Sequence, residues 1–127
     1  MYTKIDLFKH SNVKTVSFQA GEIIFAENEP GNTLFVIQSG QVEILMRHRV
    51  VEVLESGSLF GEMALVTELR RVATASAYSD CTLISIDYKQ FQSLIATAPE
   101  FAISIMQVLS ERLFIADQQL MLLYSIP

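Results

Sequence analysis

The chain of 127 residues has little of several things, and each shortage excludes a class of function. It has one cysteine, Cys81, so internal disulfides and four-cysteine zinc or iron–sulfur sites are ruled out. Cys81 reads as a buried strand residue. Its two histidines, His10 and His48, stand far apart with no cysteine beside them, too few ligands for a metal or haem sensor. Neither Ser79-Asp80 nor Ser85 has a histidine nearby in sequence, so no nucleophile–base set is visible and no enzyme activity is expected. Basic residues are scarce, 9 lysines and arginines against 14 acids for a formal charge of −5. Their only groupings are Arg47-His48-Arg49 and Arg70-Arg71, which argues against this chain binding nucleic acid unaided. Long apolar runs are missing as well. The N-terminus lacks a signal-peptide core, and stretches such as Phe101–Ser110 are too short to span a bilayer. A cytoplasmic protein without a membrane role is the expectation.

Half of the residues are apolar. A single packed domain is therefore expected over residues 1–127, burying roughly two-thirds of its unfolded surface. Residues 1–12 read as a lead-in. Residues 13–87 read as a β-roll of short runs rich in Val, Ile, Thr and Phe: Thr15–Phe18, Ile23–Phe25, Thr33–Gln38, Gln41–Met46, Val50–Leu54, Val72–Ala77 and Thr82–Ile86. Ser39-Gly40 reads as a hairpin turn and Glu29-Pro30-Gly31-Asn32 as a second turn. Strands at this spacing predict a mainly β fold, a double-stranded β-helix or jelly roll, with flanking helices after it. Residues 88–127 carry the helices. Asp87 caps one from Tyr88 to about Ala96, and Pro99 opens a longer one to about Leu122.

The long helix holds a heptad seam. Ala102, Met106, Leu109, Leu113, Ala116, Leu120 and Leu123 recur at spacings of four and three, which predicts a homodimer. Phe101, Ile105, Val108 and Ile115 lie on an adjacent face that can pack on the β-roll. In a parallel pair, Arg112 falls near Asp117 of the partner subunit.

Residues 60–74, Phe-Gly-Glu-Met-Ala-Leu-Val-Thr-Glu-Leu-Arg-Arg-Val-Ala-Thr, hold the parts for gripping a sugar phosphate. Gly61 lets the backbone bend, and a short helix is expected at once from Glu62. Free amides at a helix start favour an anion. Arg71 offers a planar fork for phosphate, and Glu62, an acceptor, suits a sugar hydroxyl. The bland alternative is that Glu62 and Arg71 pair with each other and stiffen a loop.

Phe60-Gly61-Glu62-Met63-Ala64-Leu65, five residues, then Arg71-Val72-Ala73-Thr74 resembles the phosphate-binding cassette of cyclic-nucleotide-binding domains. That family includes bacterial catabolite activator proteins, regulatory subunits of cyclic-nucleotide-dependent kinases and gated channels. Ala20–Phe25, Pro30–Val42 and Tyr88–Phe91 are similar to further parts of the same domain. The resemblance implies that Glu62 accepts the ribose 2′-hydroxyl, that Arg71 pairs with the cyclic phosphate, and that amides of Gly61, Glu62, Met63, Ala64, Val72 and Ala73 line the anion. It implies a receptor or regulatory domain that couples ligand binding to movement of its C-terminal helices. Val72 stands where guanosine-selective members often carry threonine, which tilts the ligand toward cyclic AMP (cAMP) over cyclic GMP (cGMP). Ala116 and Asp117 match positions that meet the adenine amine in activator-type members, and Asp117 is the expected base contact. Activator-type proteins continue into a DNA-binding helix-turn-helix, and this chain ends at Pro127. The alternative reading is a homodimerisation module whose pocket is unused.

Overall fold

A computed structural model describes residues 14–63 and 70–125. The expected lead-in, Ala64 and most of the expected cassette helix lie outside the described residues. Among the described residues, eight strands precede two helices: β1 Lys14–Phe18, β2 Ile23–Phe25, β3 Thr33–Ser39, β4 Val42–Met46, β5 Arg49–Leu54, β6 Leu59–Phe60, β7 Thr74–Ala77, β8 Cys81–Asp87, α1 Tyr88–Thr97 and α2 Pro99–Ser125. They form two antiparallel four-stranded sheets, in the orders β1-β8-β3-β6 and β2-β7-β4-β5. This is the mainly β jelly roll with C-terminal helices that the strand spacing predicts.

Two turns differ from expectation. Ser39-Gly40 is not a hairpin turn, because β3 and β4 lie in different sheets and each pairs with strands distant in sequence. Gly40, at φ +86°, instead carries the chain across from one sheet to the other. The hairpin is β4–β5, where Met46 faces Arg49 and Arg47 and His48 take φ +51° and +66°. Two central residues in the left-handed region suit the twist of a two-residue hairpin loop. The other turn falls before Pro30, where Asn28 adopts φ +73° and the Glu29 amide donates to the Ala26 carbonyl at 3.1 Å. Asparagine tolerates that conformation.

β3 and β8, the two central strands of the first sheet, carry buried side chains on both faces. Toward the helices, Leu34, Val36, Ile84 and Ile86 pack with Leu59, Ala98, Phe101, Ile105 and Val108. Inside the roll, Phe25, Ile37, Val42, Leu54, Phe60 and Leu83 form the other core. Cys81 is buried in β8 as expected, and burial pushes its thiol pKa up.

Asp87 caps α1 through a reciprocal capping box. Its carboxylate accepts from the Gln90 amide at 2.8 Å, and the Gln90 side chain accepts from the Asp87 amide at 3.0 Å. α2 then turns back at Pro99 and lays Phe101, Ile105 and Val108 on the roll. Its other apolar face is open, with Met106, Leu113 and Leu120 all exposed. From Ala116 to Ser125 every residue of α2 is exposed. No single described helix is long and apolar enough to cross a membrane.

Candidate ligand site

A cavity of about 480 Å³ opens between the β4–β5 ribbon, the segments Phe60–Met63 and Arg71–Ala73, and one turn of α2. The cassette residues line it as follows. Gly61 adopts φ +82°, a conformation that suits glycine, and a side chain there would lie 2.9 Å from the Arg71 guanidinium. Glu62, Met63, Arg71, Val72 and Ala73 all reach the cavity. Ala73 is buried, whereas Met63 and Val72 are partly exposed. β7 begins at Thr74, not at Val72, so the two residues after Arg71 are spent on the cavity wall and not on the sheet.

Arg71 is held from several sides. Its amide donates to the Glu29 carbonyl at 2.8 Å and its carbonyl accepts from the Asn28 amide at 2.7 Å. Nη1 donates to the Gly61 carbonyl at 3.1 Å and Nη2 to the Thr33 carbonyl at 2.8 Å. The guanidinium carbon lies 4.1 Å from the centre of the Phe25 ring. Gly31 is essential to this packing, since a Cβ there would sit 2.4 Å from Nε. The side chain is only 7% exposed, and Nε is buried without a hydrogen-bond acceptor. Burial lowers the pKa of Arg71, and the fields of Glu29 and Glu62 work against that. No carboxylate forms an ion pair with Arg71 among the described residues. A buried cation without a counterion is costly, and an anion beside it would offset that cost. Arg70 points elsewhere, exposed and donating to the Asn28 carbonyl at 3.0 Å.

Glu62 does not pair with Arg71. Its partner is Arg112 of α2, with Nη1 to Oε1 at 2.5 Å, and Arg112 also donates to the Leu59 carbonyl. Within its own chain Arg112 is thus engaged by Glu62. Helical spacing says which residues share a face, but not that residue 112 lies over a loop fifty positions earlier. The second carboxylate oxygen of Glu62 carries no hydrogen bond among the described residues, which leaves it open to a donor. Ala116 also lines the cavity. Asp117 is exposed and lies outside the lining.

A second hollow of about 530 Å³, lined by Gln19, Glu22, Asp80 and Cys81 among others, offers less. Its two carboxylates already accept backbone amides, Gln19 to Glu22 at 2.7 Å and Ala20 to Asp80 at 2.8 Å, and no cation lines it. Among the described residues, no group of three or more His, Cys, Asp or Glu side chains could hold a metal ion.

The fold, together with a glycine turn, a carboxylate and a buried arginine on one cavity, defines a class. The model of the cyclic nucleotide-binding domain matches residues 15–98, and the chain belongs to that family. The chain is 33% identical over 111 residues to the cyclic AMP receptor protein of Thermus thermophilus, covering 84% of this chain and 51% of that one. It is 30% identical over 106 residues to a CRP-like cAMP-activated global transcriptional regulator of Mycobacterium tuberculosis, covering 80% and 47%. The crystal structure of the Thermus thermophilus catabolite activator protein superposes with a TM-score of 0.81 at 32% identity, over 88% of this chain and 55% of that one. The chain thus spans about half the length of these relatives.

Proposed function

We propose that this chain is a non-catalytic receptor domain for a 3′,5′-cyclic nucleotide, with cAMP as the ligand. The carrying observation is Arg71, a buried guanidinium with no carboxylate counterion among the described residues, on a cavity of nucleotide size. A cyclic phosphate brings the one negative charge this cation calls for, and nearby backbone amides add to its stabilisation without metal. Glu62 then accepts a ribose hydroxyl with its open oxygen. Val72 supplies shape but no hydroxyl to a base, which favours adenine over guanine, and both relatives named above by sequence carry cAMP in their descriptions.

The ion pair between Glu62 and Arg112 supports a route for coupling. A ribose on Glu62 shares its carboxylate with a residue of α2, so the position of α2 and the affinity for ligand depend on each other. Ligand favours whichever placement of α2 completes the cavity. One ligand-addition experiment tests both halves. Titration calorimetry with cAMP should show micromolar binding, and hydrogen exchange across residues 102–123 should slow in the complex. No heat at millimolar cAMP would remove the receptor reading and leave the dimerisation module; binding with unchanged exchange would remove the coupling alone.

The open face of α2 supports a homodimer built on Ala102, Met106, Leu109, Leu113, Ala116 and Leu120. Leu113 is 64% exposed, so its replacement leaves the fold intact. Light scattering is expected to give a dimer for the parent chain and a monomer for Leu113→Glu. A parent chain that runs as a monomer at high concentration rules the seam out.

A further inference from the structure

β5 is patterned inside out. Val50, Val51 and Val53 are exposed, whereas Glu52 between them is half-buried. The register explains this. Glu52 faces Ile44, and Leu54 faces Val42, and residues directly opposite in an antiparallel pair share a face. Val42 and Leu54 are buried inside the roll, so Glu52 is on the inner face too. It lines the cavity and makes no hydrogen bond or ion pair among the described residues. A carboxylate set on an interior wall with no partner is unfavourable by itself.

The side chains with charged groups on this cavity are Glu52, Glu62, Arg71 and Arg112. On the receptor reading, on which this inference rests, Arg71 takes the phosphate and the Glu62–Arg112 pair takes the ribose. Glu52 remains, set among Ile44, Val51 and Leu54, an apolar wall suited to a flat base. Besides Arg112, the α2 residue that lines the cavity is Ala116, which has no polar side-chain atom, and Asp117 stays outside.

We propose that Glu52 is the base-reading residue and accepts from the donor edge of a purine. A carboxylate only accepts hydrogen bonds, so it selects a base edge that donates. Adenine offers its 6-amino group. Guanine offers N1–H and its 2-amino group side by side. Hypoxanthine keeps N1–H but lacks the 2-amino group, so it offers a carboxylate one hydrogen bond where guanine offers two. Glu52 therefore separates guanine from hypoxanthine, while the missing hydroxyl at Val72 favours adenine over guanine.

The test is calorimetry of the whole chain with cAMP, cGMP and cyclic IMP. The parent chain should bind cGMP about 10-fold more tightly than cyclic IMP, the effect of one charge-assisted hydrogen bond. Glu52→Leu should erase that difference without loss of thermal stability, because leucine suits an inner face. Glu52→Gln presents a donor beside an acceptor, which matches the adenine amine and a neighbouring ring nitrogen but sets donor against donor on guanine. Its preference for cAMP over cGMP should therefore rise about 10-fold. Unchanged ratios among the three nucleotides in both variants overturn the assignment of Glu52 alone. No binding of any of them to the parent chain overturns the receptor reading along with it.

Discussion

Replacement of Arg71 by alanine should weaken cAMP binding by at least about 100-fold while moving the melting temperature only a few degrees. The binding loss follows from the loss of the fork and its charge. Two charge-assisted hydrogen bonds contribute about 1.5–3 kcal/mol each, and about 1.4 kcal/mol is tenfold in affinity. The small stability effect follows from the state of the side chain without ligand. It makes hydrogen bonds to the Gly61 and Thr33 carbonyls and lies over the Phe25 ring. Against these stand the desolvation of the cation and a buried Nε with no acceptor among the described residues. The two sides nearly offset. Arg71→Lys keeps the charge but not the planar fork, so it should fall between the parent and alanine. Calorimetry and thermal melting on the same three preparations decide it. Parent-like affinity in Arg71→Ala would place the anion elsewhere, and a collapse in melting temperature would make Arg71 a structural residue.

How much of this was legible beforehand depends on what each feature needs. Strands such as β2 and β3 could be read nearly to the residue, because β-branched runs closed by glycine or proline carry their own boundaries. β6, only Leu59–Phe60, is too short to show a period; it exists because Phe35 and Val36 offer it a pairing edge. The Asp87 cap and the Pro99 start are local chemistry and were readable. Arg71 and Glu62 could be read as a pair of functional groups, but not their true neighbours. Local sequence does not say that Gly31 gives up its Cβ to make room for the guanidinium, nor that Arg112 comes down on Glu62. These contacts join segments 40 and 50 positions apart, and the jelly-roll crossings decide them. Glu52 did leave a signal: a charged residue in phase with Leu54, inside a strand otherwise rich in valine. Seeing it requires knowing which face of β5 is the inside, and that depends on the register with β4.

Gly40→Ala should produce the largest stability loss of any single methyl added to this chain, lowering the melting temperature by about 10–15 °C. Gly40 joins β3 to β4 at φ +86°, and a residue with a Cβ is disfavoured there by about 1–2 kcal/mol. The added carbon would also lie 2.3 Å from the Asp80 carbonyl oxygen and 2.7 Å from the Cys81 Cβ. Neither atom can yield cheaply. Cys81 begins β8, which pairs with Phe18 of β1 and continues against Ser39 of β3 through Thr82, and its side chain is buried in the inner core. Overpacking of this kind adds about 1–3 kcal/mol, and a domain of this size loses roughly 4 °C per kcal/mol. Gly21→Ala is the matched control. Gly21 has φ +89° as well, but its Cβ would meet nothing within 4 Å, so only the conformational part should appear, about 4–8 °C. Thermal melts of both variants separate the steric from the conformational contribution, and equal melting temperatures would show that the Gly40 crossing is not tightly packed. Because Gly40 lies outside the cavity lining, folded Gly40→Ala should bind cAMP as the parent does. The two substitutions then act oppositely: one removes the ligand and spares the fold, the other weakens the fold and spares the ligand.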